Sequence, residues 1–529
     1  MLPPGLQSSR EVTLYHDKLY YNLIDSGQAV PFVYPYAGLA AFLVLAYLLI
    51  DHRQSPTLAW LRFPAFGLLL GFQAWCVLYM RAKHPAAALG VGLLSAWGVL
   101  WVAAIMVVND CQTDWVRLER GKATETNGVQ KGGGLNDTME RSSNSTETHP
   151  KATAEGRELP SQIEWQSYPA SFRDRIDWVA DVFCNFRGVG WSWQTSGIPP
   201  PPQPIESTAA HTRLPEDGAI TTSRTGIRRF NNKHALLKTT ALKLLGGYFA
   251  LDLIVTLMHR DPYFWGYAAP PYPPAPTYLP ILVQTSPILT KSYRLTLGLM
   301  GLYTALSQAF ALGPLFFCAV LGPARIGLRG ESWMNPADMF GSYACVFDQG
   351  LAGWWGGWWH QTFRFGFETV GHRVLSALGI ERKSKTGRTV ALFVAFFLSG
   401  CVHAAGSYTQ LGETRPLLGP MRFFLLQAVG ILVQVWLTEY LHRMPGVRSS
   451  PRWVRRLANF VYVHVFLFWT GPLLLDDFTN GGCFLYEPVA FSPLRALGFG
   501  AKDDGWFCWW NGILFWRNGK HWSDTGIAA

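Results

Sequence analysis

The sequence predicts an all-α fold: a polytopic transmembrane helical bundle of about eight spans (seven to nine), interrupted by one long polar insert. Three observations predict it. The chain is 49% hydrophobic and only 15% charged, against about 25% charged in soluble domains. Apolar runs of bilayer-crossing length recur along it. Aromatic residues make up 14% of the 529, with 23 tryptophans, and tryptophan concentrates at membrane–water interfaces.

Residues 1–30 are polar and lie outside the membrane, and no cleavable leader is apparent. The first span is 33–50. The second, 64–80, is short, with Arg62 placed to snorkel at its end. The third, 85–108, is rich in small residues that let helices approach closely. Together 1–108 form an N-terminal group of transmembrane helices.

A polar insert occupies 109–234. Its 132–150 portion is rich in Gly, Ser, Thr, Asn and charge, the composition of a partly disordered segment. Residues 126–134 and the prolines of 199–204 are expected linkers. Within the insert, Ile176, Val179, Val182, Phe183 and Phe186 recur at helical spacing, with Asp174, Asp177 and Asp181 on other faces. The pattern then breaks into Trp191 and Trp193, and reads as a short interfacial helix ending in an aromatic anchor. Two glycosylation sequons begin at Asn136 and Asn144. They are usable only on the luminal side.

The remaining chain, 235–529, carries the other spans: 244–258 with a backward extension through Ala235, then 295–321, 389–408, 423–439 and 457–475. Asp252 within the first of these is best read as a helix-packing hydrogen bond. The tryptophan-rich tail is expected to be interfacial or re-entrant.

Net charge is +10, but it sits in loops beside apolar spans, and no nucleic-acid-binding motif accompanies it. Arg382, Lys383, Lys385 and Arg388 precede one span, and Arg443, Arg448, Arg452, Arg455 and Arg456 precede another two spans later. Both basic loops therefore face the cytosol, as does the insert, and the N-terminus is luminal. That placement conflicts with use of the sequons. The eight cysteines form no CxxC pair, so neither a zinc site nor a disulfide framework is indicated.

The chemistry centres on 389–408. Ser399, His403 and Ser407 are spaced four apart and share one helix face. An intramembrane histidine either bonds a neighbouring helix or serves a functional site. It lies about 21 Å from Thr389 at 1.5 Å per residue, so a cytosolic substrate must reach it through a tunnel. A second signal is Gly353-Trp-Trp-Gly-Gly-Trp-Trp-His-Gln361, followed by Arg364. An interfacial aromatic belt accounts for the tryptophans but not for His360, Gln361 and Arg364.

These motifs carry a resemblance. Trp359-His360-Gln361 with Arg364, Ser399-Gly-Cys-Val-His403 and Arg187-Gly-Val-Gly-Trp191 resemble elements of the wax synthase-like membrane-bound O-acyltransferases. The likeness is to the fungal branch that acetylates terpenoids and meroterpenoids. Two features depart from that pattern. The paired arginines usual before the tryptophan-histidine are Gly357 and Trp358 here, and Ala404 stands where a glutamate is common.

The resemblance implies acyl transfer from acyl-CoA, acetyl-CoA in this branch, to the hydroxyl of a hydrophobic alcohol at the lipid bilayer, with no bound cofactor, metal or nucleic acid. It also implies the endoplasmic reticulum. His403 is the expected base, since a buried imidazole stays neutral and able to take the alcohol proton. Ser399 or Ser407 is expected to set its tautomer. His360 or Gln361 is expected to donate to the thioester oxygen. Arg364, Arg373 and Arg187 are the expected CoA-binding residues. The alternatives are a wax ester synthase acting on long-chain acyl-CoA and fatty alcohols, and a polytopic transporter. A transporter predicts internal repeats, and none is visible.

Overall fold

The computed structural model describes residues 2–3, 5–121, 163–202 and 221–529. Both sequons and the 126–134 and 132–150 stretches lie outside the described residues.

Among the described residues, seven helices are long and apolar enough to cross a membrane: Pro56–Tyr79, Pro85–Val108, Lys233–His259, Pro287–Leu321, Lys385–Thr409, Leu417–Leu441 and Arg452–Asn480. Local sequence sets their starts. Asn232 caps the third through Ala235 N, Ser286 caps the fourth ahead of Pro287, and Ser384 caps the fifth through Gly387 N.

The expected first span is the exception. Its apolar helix covers only Tyr36–Leu48, about 20 Å at 1.5 Å per residue. It nevertheless runs from one end of the bundle to the other. Val33 and Tyr34 pair with Ala528 and Ile527 at one end. At the other, the Leu48 and Ile50 carbonyls accept from the Gln112 side chain, each at 2.9 Å.

That helix defines two ends. The terminal end gathers both chain termini. The Ser9–Asp25 helix meets the C-terminal end of the Lys233–His259 helix through Ser9 and His259, and Asn511 donates to Asp17. Gly526–Ala528 is the central strand of a three-stranded sheet between Val33–Tyr34 and Phe515–Arg517. Trp506, Trp516 and Trp522 are exposed there, as suits an interfacial tail. The insert end gathers the start of Arg452–Asn480, whose Arg452 and Arg456 reach Asp348 at 3.2 Å, and the described parts of the insert.

The insert differs from expectation in two respects. Its helix, Phe172–Cys184, buries Trp178, Val179 and Val182, while Ile176 is exposed. Trp191 and Trp193 do not anchor in an interface. They plug the bundle core, beside Trp97 and Trp101 of the Pro85–Val108 span. Asp177 and Asp181, one helical turn apart, hold the buried Arg117, so the acidic face points inward to a partner rather than to water. The proline stretch is also held down where described: Pro199 accepts from Gln194 Nε2 at 2.9 Å, and Pro200 accepts from Arg229.

Tight packing fixes the His403 helix. Lys385–Thr409 lies against Pro85–Val102 through small residues. A Cβ added at Gly92 would sit 1.9 Å from the Ala405 oxygen, so only glycine permits this approach. Thr409 Oγ1 clamps the contact, accepting from Gly92 N at 3.0 Å and donating to Ala88 O at 2.6 Å.

Candidate active site

His403 stands 18 residues past Lys385 and six before Thr409. That is about 27 Å from the insert end of its helix and 9 Å from the other. Its Nδ1 is 2.8 Å from the Ser399 carbonyl oxygen. A carbonyl only accepts, so Nδ1 carries the proton and Nε2 presents a lone pair. The ring lies 4.4 Å from that of Phe424 and retains accessible surface. Ser399 therefore sets the tautomer, but through its backbone rather than its hydroxyl. Ser407 is fully buried, and among the described residues its hydroxyl has no hydrogen-bond partner.

His360 arrives from a broken segment that enters the bundle. Ala344–Gly353 is interrupted at Gly350, whose φ of 61° is left-handed. Two glutamines on Arg422–Leu441 satisfy the opened backbone and its neighbours. Gln434 Oε1 accepts from Leu351 N at 2.8 Å, and Gln427 Oε1 accepts from Trp355 Nε1 at 3.2 Å. Non-helical backbone at membrane depth needs such partners within the protein. A π-turn over Trp354–Trp358 follows. It delivers His360 against Phe340 and Phe363, with ring centroids 6.0 and 5.6 Å away.

Gln361 is spoken for. Its amide donates to Trp355 O at 2.8 Å and Trp359 O at 2.6 Å, and its oxygen accepts from Arg364. It locks the turn that presents His360 and has no donor left for a substrate oxygen. Arg364 is equally committed, to Glu368, Gln361 and the Gly356 carbonyl. Arg373 is exposed at the insert end, as are Arg382, Lys383, Lys385 and Arg388.

Arg187, half-buried, is not among the exposed cations of the insert end. The Gly188 and Gly190 backbones, with φ of 68° and 77°, turn the chain sharply. Thr195 pins the Arg187 carbonyl through N–H and hydroxyl, at 3.1 and 3.2 Å. The side chain enters the interior, donates to Asp338 O at 3.1 Å and crosses the Phe310 ring at 5.5 Å. Phe186 and Phe363 both pack on Trp97, which joins the Arg187 turn to the His360 turn. Asp338, whose carbonyl Arg187 holds, lies two residues before Phe340, and the Phe340 ring packs on His360 at 6.0 Å, so the Arg187 and His360 turns are neighbours.

Asp252 has the structural role expected of it. Its carboxylate accepts from the Ser492 hydroxyl and from Leu494 N.

Fold and site together define a multi-pass helical membrane protein with a histidine pair at its polar centre. Residues 336–426, which contain both histidines, match the model of the membrane bound O-acyl transferase family. The relatives are fungal. The chain is 24% identical to the O-mevalon transferase yanI of Aspergillus niger, over 61% of this chain and 64% of that protein. It is 26% identical to the acetyltransferase pyr8 of Aspergillus fumigatus, over 56% and 62%, and 24% identical to the acetyltransferase ple2 of Rhodocybe pseudopiperita, over 60% and 72%. The matched chain spans less than two thirds of the first two relatives' length. No solved structure matches.

Proposed function

We propose that the protein transfers an acyl group, acetyl in the first place, from acyl-CoA to the hydroxyl of a hydrophobic terpenoid-type alcohol. The observation that carries this reading is the His403 tautomer. Its Nδ1 is occupied by the Ser399 carbonyl, so Nε2 is the free base. The family match over both histidines and the acetyltransferase relatives support the reaction class.

The step balances without a metal or redox partner. His403 Nε2 takes the alcohol proton as the alcohol oxygen attacks the thioester carbonyl. The carbonyl electrons move to oxygen, then return as the carbon–sulfur bond breaks. The imidazolium gives its proton to the departing CoA thiolate. His360 is a donor to the oxygen that gains charge. Gln361, though in the same motif, positions His360 rather than touching substrate.

The donor is proposed to enter from the insert end. The exposed Arg373, Arg382, Lys383, Lys385 and Arg388 offer a rim for the CoA phosphates. Arg388 is 15 residues before His403, about 22 Å along the helix, a distance suited to an extended pantetheine arm. The acceptor, being apolar, enters from the bilayer. The basic loops place the insert end in the cytosol, and the endoplasmic reticulum is the proposed membrane.

Microsomes carrying the protein test this with labelled acetyl-CoA or palmitoyl-CoA and farnesol, ergosterol or hexadecanol. Acetylation of farnesol or ergosterol, lost in His403→Ala, is the expected result. Retained turnover in that variant removes His403 from the chemistry. Preference for palmitoyl-CoA with hexadecanol turns the assignment to a wax ester synthase.

A further inference from the structure

A buried cation normally has a carboxylate within reach, because an unpaired charge in the interior costs several kcal/mol. Arg187 breaks that rule. Among the described residues, no carboxylate forms an ion pair with it. The one whose charge bears on it, Asp338, is already engaged by Arg228 at 2.8 Å and by Lys243. Among the described residues, its guanidinium donates to a neutral backbone carbonyl, at 3.1 Å, and to no other side chain. Burial lowers its pKa to about 10, so it remains charged at neutral pH. The residue is half-buried.

The geometry points to Arg187 as a catalytic residue that receives the thioester oxyanion, beside His360, rather than one that clamps the CoA phosphates. This rests on the acyl-transfer reading above. The pantetheine arm separates the phosphates from the reacting carbonyl. A side chain anchored two residues from Phe340, which packs on His360, therefore meets the thioester end of the donor. As the alcohol oxygen bonds to the carbonyl carbon, negative charge collects on the carbonyl oxygen, and a fixed cation in a dry site stabilises it more than water would. The charge is transient, which explains why no carboxylate is built in: a resident anion would occupy the donors and cancel the field.

The test compares two donors, acetyl-CoA and S-acetylpantetheine, which lacks the nucleotide and its phosphates. The acceptor is whichever of farnesol, ergosterol and hexadecanol the wild type uses best. Arg187→Gln is expected to lower kcat about 10²–10³-fold with both donors, and Arg187→Lys to recover part of the loss. The ratio between donors is read on one preparation, so partial unfolding does not distort it. A penalty confined to acetyl-CoA overturns the inference and makes Arg187 a phosphate ligand. An unaltered kcat overturns it as well.

A second measurement is independent of turnover. Arg187→Met in detergent is expected to melt no lower than the wild type, because an unpaired charge has been removed. A fall of many degrees would make Arg187 a structural residue instead. Wild-type protein that transfers from neither donor defeats the acyl-transfer reading itself, and this inference with it.

Discussion

The terminal end and the middle of the bundle treat buried charge in opposite ways. At the terminal end the most deeply buried arginines are paired with carboxylates. Arg495 holds Glu487 through two contacts of 2.6 and 3.1 Å, with Asp504 3.8 Å away. Arg294 forks onto Asp261, which is fully buried, at 2.8 and 2.9 Å. His259 sits between Glu487 and Asp504. In the middle, among the described residues, His403 Nε2 has no hydrogen-bond partner and no carboxylate forms an ion pair with Arg187. Paired charge pins the two termini to the helix ends. Unpaired charge waits for a reacting group. Loss of a residue in the middle should therefore cost rate and spare the fold, while loss at the terminal end should cost the fold first.

The largest separation is expected from His403→Ala. Turnover per folded molecule should drop by about 10²–10⁴-fold, the range for a missing general base, with the melting temperature in detergent near that of the wild type. A comparable loss of melting temperature would erase the contrast and turn His403 into a packing residue. His360→Ala belongs to the same class, with a smaller rate loss and undiminished membrane insertion, scored by kinetics beside quantitative immunoblotting of microsomes.

Glu487→Ala supplies the opposite case. It strands Arg495, which is 7% exposed, and breaking one partner of a buried pair costs about 3–5 kcal/mol. Yield and melting temperature should fall together, while the surviving folded fraction turns over at the wild-type rate. Selective loss of kcat without a stability change would show that the terminal end takes part in the reaction. Gln434→Leu falls between. It leaves Leu351 N without its acceptor, which costs about 1–3 kcal/mol, and it loosens the segment that ends in His360. Both melting temperature and kcat should move, each modestly, and a change in only one of them would place Gln434 wholly in one class.

The same contrast explains what the sequence could reveal. Long apolar runs are local signals, so the seven long spans were legible, and so was the Ser399–His403 turn, because four-residue spacing is a property of one helix. Asp252 was read correctly because a lone carboxylate in a span usually serves packing. The Tyr36–Leu48 helix was misjudged in length, since apolar composition continues to Ile50 while the chain has already turned. Trp191 and Trp193 were placed in an interface because their destination, the Trp97–Trp101 face, lies on another helix some ninety positions earlier. No periodicity reports such a contact. Gln361 was credited with a substrate role that its own backbone neighbours had taken up. Charge alone does not say whether a counter-ion is near, so the surroundings of Arg187 were not legible in its motif.

The smallest effect tests whether the terminal end is as fully compensated as its ion pairs imply. His16, on the Ser9–Asp25 helix, is 3% exposed, and its Nε2 is buried with no partner. Burial lowers its pKa to about 4, against about 6.5 in an unfolded chain. Between those values the unfolded chain binds a proton that the folded protein refuses. The contribution is therefore complete above pH 6.5 and shrinks as pH falls toward 4. Going from pH 7.5 to 5.5 should cost about 1.4 kcal/mol at this residue, and His16→Phe should remove that increment from the acid dependence of melting. His84, also lowered to about 4 by burial and then by Lys83, leaves a residual slope of the same sign. An identical acid slope in wild type and His16→Phe would mean that the ring reaches water or a proton acceptor there, and that the terminal end is open in the way the middle is.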